Sequence, residues 1–333
     1  MADGPLPLVD GFGRVHRDLR ISVTDRCNFR CSYCMPAEGL PWMPREDLLT
    51  YEELTRVARV CVERFGFDGI RLTGGEPTIR AHLPVLVESL AGLGVDLALT
   101  TNGTTMRALA PDLVAAGLRR VNISCDSLRA ERFAEITRRD ELPRVLDGIE
   151  AALEAGLRPV KINVVVMRGV NDDELVDFAA FGRDRGVSVR FIEFMPLDAQ
   201  GEWTDRQVVS QREIVDAIDA VFPLEAVPED ERGSAPASRF RFRDGAGEIG
   251  VIPSVTQAFC ASCDRVRLTA DGTLRHCLFA TRELDLRALL RAGASDGDLA
   301  AAIADEVGAK WAGHQIGQVQ FIRPARSMSQ IGG

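Results

Sequence analysis

The chain has 333 residues and a formal net charge of −9, from 49 acidic and 40 basic side chains, and 46% of it is hydrophobic. That balance supplies no overall basic field for nucleic acid or an anionic membrane, so any polyanion must be held by local arginines and lysines. The length suits one large domain with a smaller one, divided at 1–200 and 201–333.

Residues 1–20 contain no apolar stretch of signal-peptide length, and no later run is long enough to span a bilayer. A cytoplasmic, reducing location is expected, where eight cysteines at clustered spacings read as metal ligands rather than disulfides. The first strand, predicted over 19–23, leads into Cys27-Asn28-Phe29-Arg30-Cys31-Ser32-Tyr33-Cys34. A structural zinc needs four protein ligands, whereas a 4Fe-4S cubane held by three cysteines keeps one iron open to another molecule. A zinc site with a distant fourth ligand, or unliganded thiols, is the alternative at this point.

Thr50 then caps a helix with Glu53 as its capping-box partner. Strands follow at 70–73, 97–101, 121–125, 160–166 and 189–195, separated by helices around 83–92, 108–116, 142–155 and 172–185. Six strands with crossover helices predict a parallel sheet, with barrel-like closure the favoured form. Of the two cysteines outside the triplets, Cys61 falls in an apolar helix stripe and Cys125 in an apolar strand, and both read as core packing.

Strands covered on both faces should be nearly continuous in Val, Ile and Leu, and these are not. Alternate positions place Arg20, Ser22, Arg71, Thr73, Thr100, Asn102, Asn122, Ser124, Asp126, Lys161 and Asn163 on one face. The other face carries Ile21, Val23, Ile70, Leu72, Leu97, Leu99, Ile123, Cys125, Ile162 and Val164. The apolar face is expected to pack on helices and the polar face to line a lumen. Arg20, Arg71 and Lys161 pointing inward require an anion, because an unpaired buried cation is prohibitively costly; internal pairing with Asp126 and Glu76 is the alternative. Strand ends such as Thr73-Gly74-Gly75-Glu76-Pro77 and Ser124-Cys125-Asp126-Ser127 sit where parallel α/β folds place their sites.

After Pro196 the alternation stops. A helix around 211–222 precedes 228–247, whose Pro, Ser, Gly and charge read as a long flexible connection. Gly245-Ala246-Gly247-Glu248-Ile249-Gly250 formally matches a dinucleotide fingerprint but is followed by Val251-Ile252-Pro253 rather than a helix, and is rejected. A second triplet, Cys260, Cys263 and Cys277, spans two predicted strands joined at Asp271-Gly272, a strong hairpin turn that returns Cys277 towards Cys263. His276 offers a fourth ligand for the zinc alternative here. Arg265 and Arg267 share a strand face beside this triplet, placing fixed positive charge where a triphosphate can lie. Helices near 283–291 and 297–308 follow, and the Gly332-Gly333 end reads as a free tail.

The first triplet resembles the signature of the radical S-adenosylmethionine (SAM) enzymes, in spacing and in the aromatic Tyr33 before the third cysteine. With the second triplet and the Gly-Gly end, the chain from Arg20 onward resembles the GTP 3′,8-cyclase family of molybdenum cofactor biosynthesis. That resemblance implies an α/β fold, an incomplete six-unit (β/α) barrel, with a C-terminal region carrying a second iron-sulfur cluster and binding GTP. It implies that Cys27, Cys31 and Cys34 hold a 4Fe-4S cluster with SAM, and Cys260, Cys263 and Cys277 an auxiliary 4Fe-4S cluster facing guanine. Tyr33, Gly75, Ser124 and Met195 become SAM contacts; Arg20, Arg71, Thr100, Lys161, Arg265, Val266 and Arg267 become GTP contacts. Arg265, Arg267, Gly332 and Gly333 become catalytic candidates, the tail reaching into the active site.

The implied reaction is reductive SAM cleavage, hydrogen abstraction from ribose carbon 3′ and attack on guanine carbon 8. Its partners are an external electron donor and a downstream cyclic pyranopterin monophosphate synthase; a homodimer is allowed, and neither nucleic acid nor membrane is expected. Two positions depart from the family pattern, Asp264 where Asn is common and Cys125 where Leu or Val is common. The rival readings are another radical SAM enzyme with an auxiliary cluster, such as a peptide modifier, and a zinc-organised binding module without catalysis.

Overall fold

The computed structural model describes residues 4–198, 200–319 and 321–332. A small hairpin, β1 (Leu8–Val9) and β2 (Val15–His16), precedes six strand-helix units. These comprise β3 (Asp18–Ser22), α1 (Tyr51–Phe65), β4 (Gly69–Thr73), α2 (Leu83–Ala91), β5 (Asp96–Thr101) and α3 (Met106–Ala115). They continue with β6 (Arg120–Ser124), α4 (Ala130–Thr137), α5 (Leu142–Glu154), β7 (Val160–Val166), α6 (Leu175–Arg185) and β8 (Ser188–Glu193). Beyond lie α7 (Gln211–Asp219), β9 (Leu224–Ala226), β10 (Ser238–Phe242), β11 (Glu248–Ile252), β12 (Arg265–Leu268), β13 (Thr273–Arg275) and β14 (Leu284–Asp285). Helices α8 (Leu286–Arg291), α9 (Asp296–Gly308) and α10 (Met328–Ile331) complete the chain.

Local chemistry sets the boundaries. At α1 the Glu53 N–H donates to Thr50 Oγ1 at 3.2 Å and the Thr50 N–H donates to the Glu53 carboxylate at 2.8 Å, the expected capping box. Ser210 with Glu213 and Ser295 with Asp298 do the same for α7 and α9. Prolines in the first turns of α2 and α5 occupy positions where a missing N–H costs nothing.

One mixed sheet of twelve strands runs in the order β14-β13-β12-β3-β4-β5-β6-β7-β8-β11-β10-β9. Strands β3 to β8 are adjacent in chain order and mutually parallel. The residues after 200 extend both edges of this sheet: β12 joins β3 and β11 joins β8, each in parallel, with antiparallel strands outside them. All ten residues assigned to the apolar face, from Ile21 to Val164, lie in the main buried core, together with Cys61. Each fully buried Leu or Ile there contributes roughly 1.5–3 kcal/mol, so the alternation fixes which face the helices cover.

The stretch 228–247 is a correction. It holds β10, which pairs antiparallel with β11 and β9, rather than a long flexible connection. Its Pro and Ser fall mainly before the strand, while the alternation Ser238-Arg239-Phe240-Arg241-Phe242 supplies the strand itself. Phe242 is buried and packs edge-on against Phe222 at 6.0 Å, with the Arg183 guanidinium over both rings. Gly245 and Gly247 lie in the β10–β11 turn, so the rejected dinucleotide fingerprint is indeed a turn entering a strand.

Candidate active site

Both cysteine triplets line a single cavity of about 300 Å³. Cys27, Cys31 and Cys34 reach it from the loop after β3; Cys260 and Cys263 precede β12, and Cys277 follows β13. The predicted hairpin brings them together: Arg267 pairs with Arg275 and Leu268 with Leu274 across the Asp271-Gly272 turn. Tyr33, Gly75, Thr100, Ser124, Met195, Arg20, Arg71, Arg265 and Arg267 line the same cavity.

Sheet register concentrates the cations. Arg267 stands beside Arg20 across β12 and β3, and Arg20 beside Arg71 across β3 and β4, so three guanidinium groups form one row on the inner face. Burial, with Arg71 and Arg265 close by, pushes Arg20 down to about 9, and burial pushes Arg71 down to about 10. Asp18 lies among them, 3.5 Å from Arg20 but without hydrogen-bond geometry. The Nε atoms of Arg20, Arg71 and Arg265 are buried with no hydrogen-bond partner. Such groups cost free energy until an acceptor arrives, so the row is built for an anion.

The carboxylates suggested as internal partners serve elsewhere. Glu76 accepts from the hydroxyls of Thr78 (2.5 Å) and Thr101 (2.6 Å) and from the Asn102 N–H (2.6 Å). Asp126 accepts from the Tyr33 hydroxyl at 2.7 Å and the Val165 N–H at 2.8 Å, and burial raises it to about 6. Glu76 therefore clamps the Gly-Gly turn, and Asp126 fixes the ring of Tyr33. At Gly75 a Cβ would stand 2.3 Å from the Arg26 carbonyl oxygen, so only glycine lets this turn approach the first triplet's loop.

The tail is ordered up to Gly332. Ser22 Oγ donates to the Ile331 carbonyl at 3.0 Å, and Arg267 Nη1 reaches the Gly332 carbonyl at 3.5 Å. Gly332 has φ +85°, and a Cβ there would lie 2.1 Å from Ser22 Oγ. The free-tail expectation fails for Gly332, because the Ile331 and Gly332 carbonyls accept from Ser22 and Arg267. Gly333 lies outside the described residues.

Two expected GTP contacts are placed differently. Val266 alternates with Arg265 and Arg267 and turns its side chain into the apolar core, fully buried. Lys161 is half-buried and does not line the cavity, although its neighbours Asn122 across β6 and Asn163 along β7 do. Burial and the nearby Arg190, Arg120 and Arg71 push its ammonium down to about 7, which ties it to the same positive field. Asp264 also stays off the cavity lining, so its departure adds no carboxylate there.

The sequence reading missed Arg190, a buried cation that lines the cavity opposite Asn163 in register. Extending the alternation into β8 finds it. It also missed Lys310, whose Nζ lies 3.6 Å from Cys263 Sγ. His276, the candidate fourth ligand, is held through Nδ1 by Glu306 Oε1 at 2.6 Å, and its Nε2 is buried without a partner. Among the described residues no three His, Cys, Asp or Glu side chains are gathered closely enough to hold a single metal ion.

One thiol stands apart electrostatically: burial raises Cys260 as it raises the first triplet, but not Cys263. Burial raises Cys27 and Cys34 to about 12, with Glu76 adding to the effect at Cys27, and burial aided by Asp126 raises Cys31 well above the usual thiol value. At Cys263 burial is outweighed by Arg265 and Lys310, which hold the thiol down at about 6. Three-cysteine donor sets on a shared cavity, with a glycine turn allowing close approach, fit cubane clusters that each keep an open corner.

Residues 21–182 match the Radical SAM superfamily, and residues 187–316 match Molybdenum Cofactor Synthesis C. A Streptomyces coelicolor protein named GTP 3′,8-cyclase is 48% identical over 99% of this chain and 98% of its own length. Proteins of the same name from Mycobacterium sp. strain KMS and Corynebacterium glutamicum strain ATCC 13032 are 49% and 47% identical, over 98% and 100% of this chain and 94% and 91% of theirs. Among solved structures, Streptococcus suis SuiB bound to S-adenosylmethionine superposes with TM-score 0.60 at 12% identity, over 86% of this chain and 68% of that one. Methylornithine synthase superposes with TM-score 0.51 at 18% identity, over 63% of each chain. These structures share the fold.

Proposed function

The chain belongs to the family of GTP 3′,8-cyclases within the radical SAM superfamily, and from that premise we propose which of its residues carry the reaction. It is a radical SAM enzyme of the first step of molybdenum cofactor biosynthesis, with 4Fe-4S clusters and SAM as cofactors. We read the sheet as an incomplete six-unit (β/α) barrel over residues 1–200, closed by 201–333 with the second cluster. Cys27, Cys31 and Cys34 hold the cluster that binds SAM; Cys260, Cys263 and Cys277 hold the auxiliary one. When bound, SAM and its cluster supply hydrogen abstraction from ribose carbon 3′ of GTP, which leads to the bond to guanine carbon 8 in 3′,8-cyclo-7,8-dihydroguanosine triphosphate.

The protein's part is positioning. Tyr33, locked by Asp126, together with Gly75, Ser124 and Met195, seats SAM beside the first triplet. Arg20, Arg71 and Arg267 receive the triphosphate, with Arg265, Arg190 and Lys161 completing the field and Thr100 as a neutral contact. Val266 serves only as the spacer that turns its two arginines inward. Gly332 closes the substrate side against Arg267, and Gly333 is the catalytic candidate that follows it in sequence. The carrying observation is the row Arg267–Arg20–Arg71 on the cavity that both triplets line.

An external electron donor and a separate cyclic pyranopterin monophosphate synthase are the reaction's partners, and a homodimer is the assembly to test. No helix among the described residues is long and apolar enough to cross a membrane, and we place the enzyme in the cytoplasm. Reduced, reconstituted protein incubated with SAM should form 5′-deoxyadenosine only when GTP is present, and Cys31→Ala should abolish it. SAM cleavage indifferent to GTP, or a colourless protein with stoichiometric zinc, would overturn this assignment.

A further inference from the structure

Lys310 follows α9 and is almost completely buried, yet it does not line the cavity. Its ammonium donates to the Arg265 carbonyl at 2.9 Å and the Cys263 carbonyl at 3.3 Å, and stands 3.6 Å from Cys263 Sγ. Its fourth neighbour is His16 Nδ1 at 3.5 Å, and His16 Nε2 in turn lies 3.0 Å from Asp10 Oδ2. With Nδ1 accepting from Lys310, the imidazole is neutral and its Nε2–H donates to Asp10. The hairpin β1–β2 thus braces the lysine from behind. Arg14 of the same hairpin donates to the Cys260 carbonyl at 2.7 Å and to Asp10 at 2.6 Å, fixing the hairpin to the second triplet.

From the opposite, cavity side, Arg265 Nη2 donates to the same Cys263 sulfur at 3.4 Å. Cys263 Sγ therefore lies between two cationic N–H donors. The donors reaching the first triplet are neutral: the Phe29 N–H to Cys27 at 3.4 Å, with Ser329 towards Cys34, while the Tyr33 hydroxyl beside Cys31 is committed to Asp126.

We propose that Lys310 is a positioning residue that, with Arg265, raises the reduction potential of the auxiliary cluster above that of the cluster that binds SAM. Reduction adds negative charge to a cluster, and N–H···S bonds from cations to a ligating sulfur stabilise the more negative form. This rests on the reading that the second triplet holds a cluster. Lys310 touches neither substrate nor SAM; it acts through Cys263, and the auxiliary cluster becomes the easier of the two to reduce.

The test is a redox titration followed by electron paramagnetic resonance on reconstituted protein. In Lys310→Met the auxiliary midpoint should move to more negative potential while the SAM-cluster midpoint stays where it is. An unchanged auxiliary midpoint with iron content retained would overturn the proposal. Should Lys310→Met lose its second cluster, wild-type protein decides, because the chain contains only two lysines, Lys161 and Lys310. Protein grown with ¹⁵N-lysine should show a nitrogen coupling on the reduced auxiliary cluster in pulsed resonance spectra, retained in Lys161→Met. Absence of that coupling overturns the proposal; a wild-type protein that never binds more than about four irons overturns the two-cluster reading itself.

Discussion

The first and second cysteine triplets look alike on paper, three thiols apiece with one corner to spare, but Cys263 of the second sits in electrostatic company opposite to that of the first. Cys27, Cys31 and Cys34 lie near the buried carboxylates Glu76 and Asp126, and burial holds their thiols protonated. Cys263 lies between Arg265 and Lys310 and is biased towards thiolate before any iron arrives. The carboxylates near the first triplet act as clamps, holding the Gly74-Gly75 turn and the Tyr33 ring. The cations near the second are continuous with the row Arg267–Arg20–Arg71 and so with the proposed triphosphate pocket. One cavity therefore has a wall carrying carboxylate clamps and a wall carrying the row of cations.

Removing a guanidinium from that row attacks the difference most strongly. Arg267→Ala should weaken GTP binding roughly 10- to 150-fold, the scale of one or two charged hydrogen bonds, while iron content and SAM binding stay near wild type. Equilibrium binding on reconstituted protein checks it; unchanged GTP affinity would mean the anion wall is misassigned.

A gentler measurement sharpens the same contrast in metal-free protein. The Cys263 pKa is depressed from 9.0 to about 6. Its contribution to the stability of metal-free protein is therefore fully present above about pH 9 and lost as pH falls through about 6. Alkylation followed by peptide mapping should show Cys263 reacting with a midpoint near pH 6, while Cys27 and Cys34, raised to about 12, stay unreactive at pH 8. Equal labelling of Cys263 and the first triplet at pH 7 would erase the distinction.

Much of this was legible in residue order because a strand alternates its faces every second residue. Arg20 and Arg71 were found that way, as was the apolar face that became the core. Arg190 obeys the same rule and was missed only because the rule was not carried into β8. Val266 shows the converse: a window borrowed from relatives includes it, while alternation alone puts its side chain in the core. Lys310 was not legible at all, since its role depends on a long-range approach to Cys263 that no local pattern encodes. The stretch 228–247 was misread because Pro, Ser and Gly on either side masked a five-residue strand. Gly332 reads as a free end on local grounds and as an active-site residue by resemblance, and its Ser22 and Arg267 contacts favour the second.

The central claim is that both triplets face one chamber and hold clusters there. Electron paramagnetic resonance on fully reduced protein carrying about eight irons tests it most directly. Each cluster's signal should be broadened by magnetic interaction with the other, and Cys31→Ala should leave a single narrower signal from the auxiliary cluster. Two reduced clusters whose signals simply add, with no mutual broadening, would contradict it.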